Sequence, residues 1–413
     1  MKVCIVGGGA SGMMASVMLA RRGANVSLLE KNSELGKKIL ITGKGRCNLT
    51  NVATGEEFLA NVVRGKKFLI SAERKFSSQQ TIKFFEELGV KLKVERGGRV
   101  FPESDSAKTI NSAFKHALTN AGVEVITNFS VKSIVKQGDK FTVSNAKGDS
   151  LSGFDACVIA TGGVSYPGTG STGDGYDFAK AFGHSIISIK PALNGIETVE
   201  SVKHLEGLTL KNVKLRAFNE EKQIFESEIG EMLFTAVGVS GPLVLTASSF
   251  INRSDVTRLS IDFKPALIIS QLEDRIDREI KLAPSKQITS LLSWLLPKRL
   301  VPEFLLRLGV SQNLKLNQMS REIRSKLIVL LKDFTLTFRR VEDIITSVIT
   351  SGGVSLDEIN PKDMSSKREN GLYFIGEVLD CDALTGGFNL QIAFMTANAC
   401  ANSEFLNCDG GSV

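Results

Sequence analysis

Histidine is scarce in this 413-residue sequence: only His116, His184 and His204 occur. Cysteine is sparse as well, at positions 4, 47, 157, 381, 400 and 408, with no C-x-x-C spacing among them. That inventory gives no metal site, structural zinc included. Scattered thiols in a chain this long fit a reducing compartment better than a disulfide framework. No apolar run reaches the ~18 residues that a membrane span requires. The stretch from Lys2 to Ala20 is interrupted by Gly7, Gly8, Gly9 and Gly12, a pattern for which a secretory signal has no use, so the expected location is the cytoplasm. Lys and Arg outnumber Asp and Glu by 51 to 44, for a net charge of +7. No basic run with interleaved aromatics accompanies the excess, which argues against nucleic acid as a partner and for a small-molecule substrate. Internal repeats and low-complexity tracts are absent, and nothing in the sequence marks an oligomeric state.

What is present begins at the first residue. Lys2 to Val6 reads as a buried strand, Ala10 to Arg22 as a helix and Asn25 to Glu30 as a second strand, the βαβ opening of a parallel α/β fold. Ser77 to Leu88 and Asp105 to Ala121 read as amphipathic helices, the second capped by Ser104 or Asp105. Val123 to Phe154 alternates polar and apolar residues between turns, as an antiparallel meander does. Ala156 to Ala160 reads as a strand returning to the parallel sheet. After Pro191 the character changes: short β-like runs fill 207–263, and helical periodicity fills 267–332. Phe334 to Phe338 and then 371–380 read as strands, and 386–401 as a helix. This order predicts a nucleotide-binding domain split by an insertion, with parts at 1–190, 191–345 (its helical subdomain at 267–332) and 346–413.

Gly7-x-Gly9-x-x-Gly12 sits between the first strand and the first helix. There, the first glycine makes a tight turn, the second admits a pyrophosphate and the third lets the helix approach the strand. Ala10 and Ser11 open that helix, whose N-terminal N–H groups suit phosphate. Three glycines at this spacing are weak alone in a chain with 38 Gly; the strand-helix context and Glu30, 23 residues after Gly7, strengthen the signal. A carboxylate there accepts from both hydroxyls of a ribose and repels a 2′-phosphate. The fingerprint alone leaves NAD and FAD open. Gly371 to Asp380 favours FAD: it reads as a strand ending in Gly376-Glu377, followed by Gly386-Gly387-Phe388-Asn389-Leu390 at a helix start. That return would aim an acidic residue at a ribityl chain and a helix N-terminus at the flavin pyrimidine, where negative charge grows on reduction.

Four blocks resemble one family, the BaiN/YhiN-type flavoproteins, described as NAD(P)/FAD-dependent oxidoreductases, the aminoacetone-oxidase-like proteins among them. They are Val6 to Gly12, Gly36 to Asn51, Ala160 to Gly175, and Gly376 to Asp380 with Gly386 to Gln391. Gly98 to Pro102 and Thr350 to Val354 extend the likeness over nearly the whole chain. The resemblance implies an α/β fold with a split Rossmann-like FAD-binding domain, as in glutathione reductase and fumarate reductase, an inserted β-barrel and a small helical subdomain. It implies FAD as cofactor and a bacterial source. It also implies a cofactor site made of Gly7, Gly9, Ala10, Ser11, Gly12, Glu30 and Lys31, then Lys37, Lys38, Thr42, Gly43, Gly45, Arg46, Cys47 and Asn48. Val131 follows for the adenine, then Thr161, Gly162 and Gly163, and finally Gly376, Glu377, Gly387, Asn389 and Leu390. One departure stands out. The family's Phe-Thr-His-x-Gly-x-Ser-Gly-Pro reads Phe234-Thr235-Ala236-Val237-Gly238-Val239-Ser240-Gly241-Pro242 here, so Ala236 replaces a histidine, and if that histidine carries protons in relatives this chain uses another group or a different substrate.

Three residues are candidates for catalysis. Arg46 suits an anionic reduced flavin or an anionic substrate, or clamps its own Gly-rich loop. Cys47 is a redox thiol or a small packing residue. Tyr166 is a proton donor opposite hydride delivery or an aromatic packed on its loop. The expected function is an FAD-dependent oxidoreductase acting on a small molecule by hydride transfer through the flavin, in a cleft between the FAD domain and the insertion. No second fingerprint opens a helix after a strand, so NAD(P)H would dock transiently as donor. The alternatives are a tRNA-modifying flavoenzyme and a flavin-bearing redox sensor without turnover.

Overall fold

The computed structural model describes residues 1–406; Cys408 and the rest of the tail lie outside them. The chain forms two compact units, one of residues 1–191 and 344–413, the other of residues 192–343.

The first unit is built on a five-stranded sheet in the order Leu372–Phe374, Ala156–Ile159, Lys2–Val6, Asn25–Leu29 and Glu124–Ile126. All four pairings are parallel. The central strands are continuous apolar runs buried on both faces, the signature of a sheet covered by helices on each side. Helix Ala10–Arg21 starts at Gly9 and stops just before Gly23, whose φ of 86° continues no helix. Helix Phe388–Ala401 is apolar around most of its circumference and buried accordingly. Phe394 of this helix meets Phe85 at 5.6 Å, and Phe85 meets Phe114 edge-to-face at 5.1 Å. A single aromatic cluster therefore joins three helices beneath the sheet.

Several local readings are corrected. Glu124–Ile126 belongs to the parallel sheet beside Asn25–Leu29, so the antiparallel meander starts only at Val131. The cap of helix Ala107–Asn120 is Ser106; Asp105 adopts φ 51° and spends its carboxylate on Arg46 and Lys93. The strand expected over 371–380 ends at Phe374, and a short 3-10 turn carries Gly376–Val378. Segments Leu92–Glu95 and Arg99–Pro102 form a hairpin, to which Thr50–Asn51 adds a third strand.

The second unit is a closed antiparallel barrel. Strands run Thr209–Asn219, Gly230–Phe234, Gly238–Ser240, Ile196–Thr198, Phe334–Val341 and Arg258–Asp262, and the last pairs back onto the first. Thr209–Asn219 makes closure possible by its length: its first half pairs with Gly230–Phe234 and its second half with Arg258–Asp262. A helix, Pro242–Ile251, interrupts the β-like run 207–263, opened by Pro242 in its first turn. Four helices of eight or more residues fill 269–332. No helix among the described residues is long and apolar enough to cross a membrane.

Candidate functional site

Parallel strands expose their C-terminal ends at one edge, and there the candidate residues gather. Lys2–Val6 runs into Gly7 to Gly12, Asn25–Leu29 into Glu30 and Lys31, Ala156–Ile159 into Thr161 to Gly163, and Leu372–Phe374 into Gly376 and Glu377. Gly7 turns with φ 112°, and a Cβ there would strike the Ala160 carbonyl. A Cβ on Gly12 would fall on the Gly7 carbonyl oxygen, whereas one on Gly9 would meet nothing within 4 Å. The two outer glycines are thus demanded by the backbone itself, and the middle one faces open space. Ser11 packs under Gly376.

Glu30 is buried, and its carboxylate accepts from the Gly8 N–H at 2.8 Å, the Asn32 N–H at 2.8 Å and the Asn32 side chain at 2.7 Å. This holds it against the glycine turn. The Phe129 N–H donates to the Glu30 carbonyl at 2.9 Å, which brings the segment leading to Val131 alongside. Lys31 pairs with Asp174 at 2.6 Å, and Lys37 donates to Asn32 at 3.0 Å.

Lys38 and Glu377, 339 positions apart, form an ion pair at 2.8 Å. Lys38 also donates to Ser165 Oγ at 2.6 Å, and Glu377 accepts from the Thr350 N–H at 2.8 Å. Thr350 Oγ1 in turn accepts from the Val164 and Ser165 N–H groups at 2.9 and 3.1 Å. Four segments are tied together by this network. Ser165, Thr350 and Asn32 were not among the expected site residues. Ser165 and Thr350 lie inside the quoted motif blocks, which was their only available signal, and Asn32 lies outside all of them; hydroxyls and amides carry no chemistry legible from spacing.

Tyr166 follows Ser165 directly. It sits in the left-handed region at φ 53°, unusual for an aromatic, and is 37% exposed. Thr161 Oγ1 is buried with no hydrogen-bond partner, as is the Tyr176 hydroxyl. Burial and the nearby Glu377 and Asp380 push the Tyr176 phenol up, so it stays protonated.

The loop after helix Lys37–Ile41 strings together Gly43, Lys44, Gly45 and Cys47, all with positive φ. Arg46 is not free: it pairs with Glu95 and with Asp105 at 2.7 Å and lies 4.2 Å from the centre of the Phe101 ring. It clamps the loop to the hairpin. Cys47 is fully buried beneath it, and burial pushes its thiol up to about 12. Burial thus opposes the thiolate that redox chemistry needs and favours the reading of Cys47 as a small packing residue. Thr42 hydrogen-bonds back to the Ile39 carbonyl at 2.7 Å.

Asn48 bridges this loop to the last helix, donating to the Thr50 carbonyl at 3.2 Å and accepting from the Gly387 N–H at 3.1 Å. The Asn389 side chain turns away to the Ala383 backbone, accepting at 2.9 Å and donating at 2.7 Å. What Phe388, Asn389 and Leu390 offer is therefore the N–H groups of a helix start, which have no intrahelical acceptor. Leu390 packs at the edge of the core. A cavity of about 400 Å³ opens beside this helix start, lined by Asn48, Asn51, Arg99, Gly386 and Phe388 among others.

An FAD fits these residues. The space over Gly9, the orphaned Thr161 hydroxyl at the same sheet edge and the helix N-terminus at Phe388 are features that a bound FAD would use. The fold and edge define a flavoprotein with a Rossmann-type FAD-binding domain. The chain belongs to the family described as HI0933-like protein Rossmann domain, whose model matches residues 1–403, and it is an FAD-dependent oxidoreductase. It is 30% identical over 403 residues to a 3-dehydro-bile acid delta(4,6)-reductase of Clostridium scindens, covering 96% of this chain and 97% of the relative. It is 31% identical over 401 residues to a ribosomal RNA dihydrouridine synthase of Escherichia coli, covering 96% of each. In fold it is similar to a 3-ketosteroid-delta4-(5alpha)-dehydrogenase from Rhodococcus jostii, with TM-score 0.50 at 14% identity over 97% of this chain and 96% of that one.

Proposed function

We propose that this protein is an NAD(P)H-linked reductase that saturates a carbon–carbon double bond conjugated to a carbonyl. The carrying observation is the convergence of Glu30, Thr161, Glu377 and the Phe388 helix start on the C-terminal edge of one parallel sheet. The two curated relatives support the reaction class. A 3-dehydro-delta(4,6) steroid and a uracil ring have little in common except an alkene conjugated to a carbonyl.

Bound FAD would supply the two-electron step, taking hydride from NAD(P)H and giving it to the β carbon of the alkene. The chain's own residues do the rest. Glu30 accepts from the ribose hydroxyls with the oxygen valences that Gly8 and Asn32 leave open. Gly9 leaves room for the pyrophosphate, with the N–H groups of Ala10 and Ser11 facing it. Gly7, Gly12 and Gly162 to Gly163 shape the turns around it, and Val131 meets the adenine through its backbone. Lys31, Lys37 and Lys38 hold the edge loops by their ion pairs and hydrogen bonds. The N–H groups at Phe388 to Leu390 oppose negative charge on the flavin pyrimidine. Tyr166 gives the proton to the α carbon and is refilled from solvent, to which it is open.

The test is anaerobic titration of the flavin-loaded protein with NADH and then NADPH, followed by a 3-oxo-Δ4 steroid or a uridine-bearing RNA. Bleaching by a nucleotide and reoxidation by either acceptor is the expected result. A flavin that no nucleotide bleaches removes the donor assignment. Bleaching without reoxidation by any conjugated alkene removes the reductase reading.

A further inference from the structure

Charge is unevenly placed along this chain. Residues 267–332 carry twelve Lys and Arg against six Asp and Glu, a net +6 of the chain's +7, which leaves the remainder at +1. The segment folds into helices Ile269–Leu282, Ile288–Leu295, Val301–Leu308 and Arg321–Lys332, closed over a core that includes Leu272, Ile276, Leu291 and Phe304. Its acids are partly used internally: Asp277 pairs with Arg324 at 3.0 Å and Glu303 with Arg307 at 2.7 Å. Arg278, Lys281, Lys286, Lys315 and Arg321 are exposed and have no carboxylate partner among the described residues.

Some of these cations are neighbours. Arg278 and Lys281 lie one turn apart at the end of their helix. Beyond the following turn, the Leu316 N–H donates to the Lys286 carbonyl at 2.9 Å and the Ile288 N–H to the Leu314 carbonyl at 2.8 Å, which sets Lys286 beside Lys315. The Lys286 ammonium lies 5.3 Å from the ring centre of Trp294, the only tryptophan in the sequence, which is 41% exposed.

We infer that this helical segment is a docking surface for RNA, its free cations meeting phosphates and Trp294 offering a face for an unpaired base. Charge complementarity selects the occupant. An anionic lipid surface would need a contiguous apolar face beside the cations. The exposed apolar residues of Ile269–Leu282 are its two terminal ones, Ile269 and Leu282, about 20 Å apart along the axis, and the exposed side between them carries Ser270, Gln271, Glu273, Asp274, Arg278 and Lys281, so no contiguous apolar face runs along it. The docking stands on these charges alone; only its purpose, delivery of a uracil ring for reduction, rests on the reductase reading.

The test uses the full-length, FAD-loaded protein and a fluorescein-labelled RNA hairpin with a uridine-bearing loop, with anisotropy recorded across a salt series. Affinity should fall steeply with salt. The triple variant Lys281→Glu, Lys286→Glu, Lys315→Glu should bind roughly tenfold or more weakly near physiological salt and flatten the log–log slope by about 2–3, one step per lost phosphate contact. The unlabelled hairpin should also change the emission of Trp294. A second variant, Lys286→Gln with Lys315→Gln, retains the fold if the reversals do not and should show a smaller loss in the same direction. RNA affinity indifferent to both variants overturns the inference, as does binding to phosphatidylserine vesicles in place of the hairpin. Loss of docking with NADPH bleaching of the flavin intact is the expected signature. Intact docking in a protein that reduces no conjugated alkene counts against the reductase reading and leaves the docking surface standing.

Discussion

At the edge of the parallel sheet, charged groups are engaged: Glu30 by Gly8 and Asn32, Glu377 by Lys38 and Thr350, Lys31 by Asp174, Arg46 by Glu95 and Asp105. In the helical segment 267–332, five exposed cations stand without a carboxylate. The first arrangement suits a site that must hold a cofactor in one pose, because each group's partners fix its position before anything binds. The second suits a surface that meets a mobile polyanion, because cations without a carboxylate break no ion pair when they bind. Substitutions in one region should therefore leave the readout of the other untouched, and three experiments press on that separation.

The largest effect is expected at Tyr166. Replacing it with Phe removes the proposed proton donor while preserving the ring, and turnover of a conjugated alkene should fall about 10²–10⁴-fold. Bleaching of the flavin by NADPH, measured separately in stopped flow, should be unchanged, and so should hairpin affinity. Turnover within twofold of the parent would return Tyr166 to a loop-packing role.

Glu30→Ala comes next. Loss of hydrogen bonds to a charged acceptor should weaken FAD retention by roughly 1.5–3 kcal/mol, read as flavin occupancy after dialysis and as the affinity of the stripped protein for added FAD. The same substitution should not move the salt slope of RNA binding. Full occupancy in the variant would show that the ribose is held elsewhere.

The sequence and the structure agree where the determinants are local. The glycine turn and Glu30 lie within the first 30 residues, and strand, turn and helix follow from patterns a few residues long. The Lys38–Glu377–Thr350–Ser165 network was illegible because it joins residues up to 339 positions apart, and no periodicity reports on such a contact. Cys47 stayed open between a redox thiol and a packing residue for a related reason: only the fold shows that it is sealed from solvent. The basic surface escaped notice because its cations are spread over several helices. They never form a linear run, and their excess appears only when the segment that folds together is counted as one.

The smallest effect is expected from pH, and it separates the two regions most cleanly. His184 is buried against Phe374, with ring centres 4.9 Å apart, at the end of the strand that delivers Gly376 and Glu377. Its Nε2 meets Ser366 Oγ at 2.8 Å and its Nδ1 faces Glu358 at 3.2 Å. Burial holds the imidazole below its ordinary 6.5, with Glu358 opposing that shift and Arg368 adding to it. Arg368, with the Ser185 backbone and hydroxyl, holds the Glu358 carboxyl down to about 2. Both folded-state values are depressed, so the unfolded chain binds more protons on acidification, and the stability from each group, present above its unfolded value, is lost as pH falls. For His184 that loss begins near pH 6.5, and for Glu358 it runs from about 4.5 down towards 2. Urea midpoints and flavin retention should therefore decline together as pH drops below 6.5, and His184→Phe should flatten the upper part of that decline. Lys and Arg do not titrate there, so the docking surface keeps its charge, and RNA binding should persist at pH values where flavin retention is already falling. A decline unchanged by His184→Phe would mean that another group couples the sheet edge to pH.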